Sequence, residues 1–149
     1  MATTPNGFTV ITPGSSKLGR FEVAGVPFVV WKEALPAFRW LTTFLHAVEP
    51  VTEQGWDGGY AHRYVAGTSV WSEHAAGSAI DWNAAQHGRG GARFAGWSET
   101  QQRVIRWMLT NTAKGKYFEW GADWKNPDPM HFELTSLAKW KAPGNPWVK

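Results

Sequence analysis

The sequence predicts an α+β fold: a small antiparallel sheet with flanking helices. Three observations predict it. Lys32 to Val48 and Ser98 to Thr112 carry apolar residues at helical spacing. Several short strand-like runs stand elsewhere in the chain, punctuated by glycine and proline. The helical and strand-like stretches are segregated and show no internal repeat. At 149 residues the chain suits one domain, 1–149, with its own core.

The elements follow in order. Residues 1–20 are rich in Thr, Pro, Gly and Ser and predict an irregular, partly strand-like lead-in. Val26 to Trp31 reads as a strand. Lys32 to Val48 reads as a helix with Leu35, Phe38, Leu41, Leu45 and Val48 on its apolar side, and Pro36 fits its first turn. Pro50 to Gly59 is a turn-rich connection, and Tyr60 to Ala66 is a candidate strand. Trp71 to Ala76 reads as a short turn or helix, and Ala79 to Trp82 as a buried strand. Gln86 to Gly96 holds four glycines and predicts a mobile loop, which would leave His87 solvated. Ser98-Glu99-Thr100-Gln101 is a capping box opening a helix whose apolar face is Val104, Ile105, Met108 and Leu109. Lys116 to Trp120 and Met130 to Leu134 read as strands, and the tail from Ala142 to Lys149 is expected to wrap the surface.

Composition excludes several classes. There are no cysteines, so disulfides and thiolate metal sites are ruled out and any metal must be held by nitrogen and oxygen. A net charge of +3 with scattered Lys and Arg argues against nucleic-acid binding but suits weak attraction to an anionic polymer. No apolar run is long enough for membrane insertion. The start of the chain lacks the features of a secretion signal, so synthesis in the cytoplasm is expected. Eleven tryptophans fit core and rim packing, with a ligand platform as the alternative.

Two segments about fifty residues apart carry the chemistry: Ser72-Glu73-His74-Ala75-Ala76-Gly77-Ser78-Ala79-Ile80-Asp81 and Asp128-Pro129-Met130-His131-Phe132-Glu133. They offer two imidazoles, one carboxylate ligand and a spare carboxylate, the set that a hydrolytic zinc site needs. Gly77 lets the chain turn between His74 and Asp81. Asp128, between two prolines, sits on a stiffened bend, and His131 opens an apolar strand. The proposed site has His74, Asp81 and His131 as ligands of one Zn2+, Asp128 as base and Arg63 as the group that stabilises the oxyanion. Each piece has an ordinary alternative: a surface His/Asp pair, a core histidine bonded to a carboxylate, a surface arginine. His62 is a candidate neighbour of the site. Glu119 and Glu133 are candidate partners for a ligand imidazole, with an exposed strand position the alternative for Glu133. His46 falls at a helix end, where a charged ring suits the dipole.

These residues resemble the zinc peptidases that include D-Ala-D-Ala carboxypeptidases and the L-alanyl-D-glutamate endopeptidases of phage endolysins. The pattern Ser-x-His-x-x-Gly-x-Ala-x-Asp is matched by Ser72, His74, Gly77, Ala79 and Asp81, and Asp-x-x-His by Asp128 and His131. Arg63 to Ser69 is similar to the segment bearing the family's arginine, and Phe118 to Gly121 with Trp124 to the aromatic stretch before the second motif. The resemblance runs from Gly58 to Leu134 and departs from the pattern at Ala61-His62, between Tyr60 and Arg63. It implies the hedgehog/D-Ala-D-Ala-peptidase fold, His74, Asp81 and His131 as zinc ligands, Asp128 as base and Arg63 as the carbonyl-polarising group. Ser72 either bonds substrate or caps the turn that follows. The partner it implies is bacterial peptidoglycan, cut most readily between L-Ala and D-Glu, by a monomer released to the wall as an endolysin. A D-Ala-D-Ala carboxypeptidase is the alternative within the enzyme class. A non-catalytic zinc-bearing wall-binding module is the alternative outside it. Wall-binding domains often accompany such lysins; without one, the catalytic face itself must bind wall, or this is the catalytic fragment of a larger protein.

Overall fold

In the computed structural model, residues 1–52 and 58–148 are described. Part of the connection expected over Pro50 to Gly59, and the last residue of the tail, lie outside them. Among the described residues the strands divide between two antiparallel sheets, with helices packed beside them. The fold is α+β, as the sequence predicts.

The first sheet is a hairpin of β1 (Leu18–Val23) and β2 (Val26–Trp31). Its two-residue turn, Ala24-Gly25, has φ of 47° and 83°, the doubly left-handed geometry that matches the twist of a hairpin. β1 is absent from the sequence reading because Arg20 and Glu22 face solvent on either side of Phe21 and leave only a weak apolar signal. The chain then enters a 3-10 turn (Lys32–Ala34) and helix α1 (Leu35–Val48), with Pro36 in the first turn. Ala37, Phe38, Leu41 and Leu45 form its buried face. Helix α2 (Glu99–Asn111) opens on Ser98, and both hydrogen bonds of the capping box are made. Ile105, Met108 and Leu109 are buried, but Val104 is 40% exposed because it stands one position off their stripe.

The second sheet positions the site. Its order is β3 (Ala79–Asp81), β5 (His131–Leu134), β4 (Phe118–Trp120). Register pairs Asp81 with His131, Ile80 with Phe132, Glu119 with Glu133 and Trp120 with Phe132. Side chains alternate along a strand. Ile80, Phe132, Leu134, Phe118 and Trp120 therefore share the core face, and Asp81, His131, Glu133 and Glu119 share the other. Rings anchor the core face: Trp120 stacks on Phe132 at 5.8 Å and Phe28 on Trp82 at 5.9 Å. Burial of each such ring contributes about 1.5–3 kcal/mol, which fixes the sheet and with it the opposite face.

The strand expected over Tyr60 to Ala66 does not form. Its backbone donors go to different partners, Tyr60 N–H to Val29 O, Ala61 N–H to His74 O and Arg63 N–H to Ala61 O, so no ladder develops beyond an isolated Tyr64–Trp71 pairing. Near the end of the chain, Ser136 caps a short helix α3 (Leu137–Lys141) that buries Trp140 against Trp31. Five residues are too few to show a helical period in sequence. No helix among the described residues is long and apolar enough to cross a membrane.

Candidate active site

His74 lies in a single 3-10 turn (Glu73–Ala76) held at both ends. At its start, the Ser72 side chain accepts the His74 backbone N–H at 3.2 Å. At its end, Gly77 takes a left-handed φ of 65°, and a Cβ there would stand 2.3 Å from Trp31 N. That contact accompanies the Trp31 N–H to Gly77 O bond of 2.8 Å, which ties the turn to β2. Gly59 is packed as closely, since a Cβ would lie 2.1 Å from Val29 O. Its carbonyl accepts from His74 Nδ1 at 2.6 Å, so that nitrogen carries the proton and Nε2 presents a lone pair.

His74 Nε2 lies 3.3 Å from Asp81 Oδ1, and so does His131 Nδ1. The ligand atoms of the three residues all fall within 4.8 Å of one another. Asp81 Oδ1 is buried with no hydrogen-bond partner, because neither imidazole contact has hydrogen-bond direction. A tetrahedral zinc ion with bonds of about 2.0–2.1 Å needs ligand atoms about 3.3 Å apart. An orphaned carboxylate oxygen at that distance from two imidazole nitrogens fits such an ion.

Behind the ligands stands a layer of carboxylates. Glu133 Oε1 accepts from His131 Nε2 at 2.7 Å, which leaves Nδ1 for the ion. Glu133 is buried, so the exposed-strand alternative is excluded. Glu119, directly across the sheet, pairs with Glu133 and not with an imidazole. Asn6, in the lead-in, joins two of these groups. Its backbone N–H donates to Glu73 Oε1 at 2.8 Å, and its side-chain amide donates to Glu133 Oε2 and to Leu134 O.

The charge balance favours a cation. Burial opposes ionisation of Asp81, but attraction to His74 and His131 outweighs it and holds the carboxyl well below the usual range. Burial also opposes a charged His131, yet Asp81 and Glu133 outweigh it and raise the ring to about 10. A metal ion held by His131 would stand where that proton is, at Nδ1. Burial pushes Glu119 up to about 7, helped by its hydrogen bond and repulsion with Glu133.

Two adjoining clefts of about 210 and 330 Å³ open onto His74 and Asp128, and Arg63 and Arg89 line both. Asp128 is buried, with Oδ1 unpartnered and Oδ2 4.0 Å from both His131 Nδ1 and Arg89 Nε. Burial raises its pKa, Asp81 adds to the rise, and His131 and Arg89 oppose it. Arg63 is exposed and reaches the clefts from a segment bonded to the His74 turn, with Ala61 N–H on His74 O and Ser72 N–H on Arg63 O. The inserted Ala61-His62 thus sits in the stretch that fixes Arg63 to the ligand turn. Ser72 lines the smaller cleft as well as capping the turn. Trp71 and Trp124 form aromatic walls, with Trp124 5.0 Å from His131.

The remaining histidines lie elsewhere. His62 faces Ile11 O and the Trp71 ring, not the ligands. His46 Nδ1 accepts the Val51 N–H at 3.0 Å. His87 corrects the expectation of a solvated residue in a mobile loop. It is fully buried, stacked 3.8 Å from Trp97, with its nitrogens on Glu49 Oε2 and Ala95 O, each at 2.7 Å. Sequence reasoning missed Arg89 and Asn6. Arg89 stands among glycines with no motif around it, and Asn6 lies 67 residues from Glu73 and 127 from Glu133.

Residues 66–134 match a family model described as D-alanyl-D-alanine carboxypeptidase. The match supports a peptidase and covers both candidate motifs. Comparison with curated proteins gave no match, and comparison with solved structures gave none.

Proposed function

We propose that this chain is a zinc-dependent peptidase that cuts the stem peptide of bacterial peptidoglycan, between L-Ala and D-Glu, in the manner of a phage endolysin. The observation that carries the reading is the convergence of His74 Nε2 and His131 Nδ1 on the unpartnered Asp81 Oδ1, beside a second buried carboxylate in an open cleft. His74, Asp81 and His131 would hold the ion. When bound, it supplies a Lewis acid and lowers the pKa of a coordinated water to about 7.

The chain's own groups supply the rest. Asp128 takes a proton from the attacking water and returns it to the leaving amine. Its burial raises its proton affinity toward the working pH, which suits a group that must gain and lose a proton in each turnover. Arg63 faces the cleft with a permanent positive charge, to meet the negative charge that develops on the carbonyl oxygen. Glu133 fixes the tautomer of His131, and the Gly59 carbonyl fixes that of His74. Ser72 holds the ligand turn and presents its hydroxyl to the same cleft.

A D-Ala-D-Ala carboxypeptidase is the second reading, favoured by the description of the matching family model. Digestion of purified peptidoglycan by the zinc-loaded protein, with mass spectrometry of the products, separates the two. New L-Ala carboxyl and D-Glu amino ends are expected; released D-Ala would move the protein to the carboxypeptidase. Asp128→Ala is expected to keep zinc and lose turnover. No cleavage by the wild type on several wall types, with zinc bound, would leave a wall-binding module instead.

A further inference from the structure

The loop between the two candidate motifs brings a second guanidinium to the cleft. Arg89 lines both cavities, its side chain is 44% exposed, and its Nε lies 4.0 Å from Asp128 Oδ2. The loop is pinned on both sides of it. On one side, the buried His87 bonds Glu49 and stacks on Trp97. On the other, Gly90 N–H donates to Pro127 O at 2.9 Å, the residue before Asp128. Arg89 is therefore built into the wall of the cleft. At 4.0 Å its contact with Asp128 is too long for a hydrogen bond, so its donors still face the cleft largely unspent.

We propose that Arg89 receives the free α-carboxylate of the substrate residue that supplies the leaving amine; this rests on the peptidase reading above. In that reading Asp128 hands its proton to the amine, so the amine nitrogen comes within hydrogen-bond reach of Asp128. An α-carboxylate is joined to the same carbon as its amine, which places its oxygens about 3 Å from that nitrogen. That is the region next to Asp128 that Arg89 occupies. A planar guanidinium is the side chain best shaped to grip a carboxylate with two parallel bonds. The carboxylate also offsets the charge that Asp128 loses on protonation, so Arg89 retains an anion throughout turnover. The substrate class follows: peptides whose leaving residue keeps its α-carboxylate free, either because the chain continues through a side-chain carboxyl or because the peptide ends there. Peptides amidated at that carboxyl are excluded.

The test uses two synthetic peptides, L-Ala-γ-D-Glu-L-Lys and the same peptide with the D-Glu α-carboxylate amidated. Wild-type protein is expected to show kcat/KM about tenfold or more higher on the free acid, the size of one charge-assisted hydrogen bond. In Arg89→Gln that ratio falls to near one, and Arg89→Lys restores part of it. A ratio unchanged in Arg89→Gln, or an equal loss on both peptides, overturns the proposal; the second result makes Arg89 only a neighbour of Asp128. Calorimetric binding of both peptides to the zinc-loaded Asp128→Ala protein separates the two readings. Preference for the acid there, lost in the double variant, supports the role of Arg89 even if the wild type cleaves neither peptide, a result that would overturn the peptidase reading. Cleavage without preference overturns the role of Arg89 and leaves the peptidase standing.

Discussion

Asp81 and His131 stand opposite each other in the pairing of β3 with β5, and Oδ1 of the first lies 3.3 Å from Nδ1 of the second. Backbone register alone sets that approach. A slip of one residue would turn His131 to the core face and Phe132 to the cleft. The third ligand is less constrained by the sheet, since His74 depends on a capped turn.

Replacement of His74 by Ala removes one of the three proposed ligands. The expected outcome is loss of stoichiometric zinc after dialysis, by elemental analysis, with loss of activity. Full zinc in the variant would take His74 out of the site.

Glu133→Gln keeps a partner at His131 Nε2 but weakens the acceptor. Zinc affinity is expected to fall about 10–100-fold, measured by competition with a chelating dye. Because Asp81 and Glu133 raise His131 to about 10, zinc binding to the wild type near pH 8 should release one proton per chain from His131, in addition to that of the coordinated water. Calorimetry in two buffers of different ionisation enthalpy reads those protons. The sign is fixed: a ring protonated in the metal-free protein makes affinity fall as pH falls.

Gly77→Ala places a Cβ 2.3 Å from Trp31 N at a φ of 65°. Both the clash and the left-handed backbone act against the fold, so a loss of more than about 2 kcal/mol is expected in urea unfolding.

Glu119 is raised to about 7 by burial and by Glu133. A carboxyl raised in the folded state contributes stability below its unfolded pKa, and that contribution is lost as pH rises through the folded value. The contribution of Glu119 to the stability of the metal-free protein should therefore fall between about pH 4.5 and 7, by roughly 1 kcal/mol once solvent screening is allowed for. Glu119→Gln, which still donates to Glu133, should flatten that slope and be the more stable protein at pH 8. Parallel thermal unfolding curves for the two proteins across this range would reject the assignment.

Much of the candidate site is legible in the sequence because its groups are packed into two short motifs. Gly77 between His74 and Asp81 announces a sharp turn, and His131-Phe132-Glu133-Leu134 alternates polar with apolar, as a strand with one polar and one apolar face must. What escapes is whatever depends on distance along the chain. Nothing local to Asn6 indicates that it will bridge Glu73 and Glu133. His87 looks solvated among glycines, although Glu49 and Trp97 bury it. β1 hides behind Arg20 and Glu22, and the segment after Tyr60 has strand-like residues but sends its backbone bonds to scattered partners. Motif chemistry is a short-range property; the groups that orient it come from wherever the fold brings them.

The three proposed ligands differ in how much chain must close to bring them together. His74 and Asp81 belong to one turn and the strand that follows it, and a nascent chain can bring them together early at small entropic cost. His131 joins only when β5 docks between β3 and β4, which closes a much longer loop. If these residues hold zinc as proposed, a chain in which β5 has not docked would offer only His74 and Asp81, a weaker site than all three together. On the proposed ligand set, uptake of free zinc during refolding should then report a single long-range event, the zipping of β5 into its sheet.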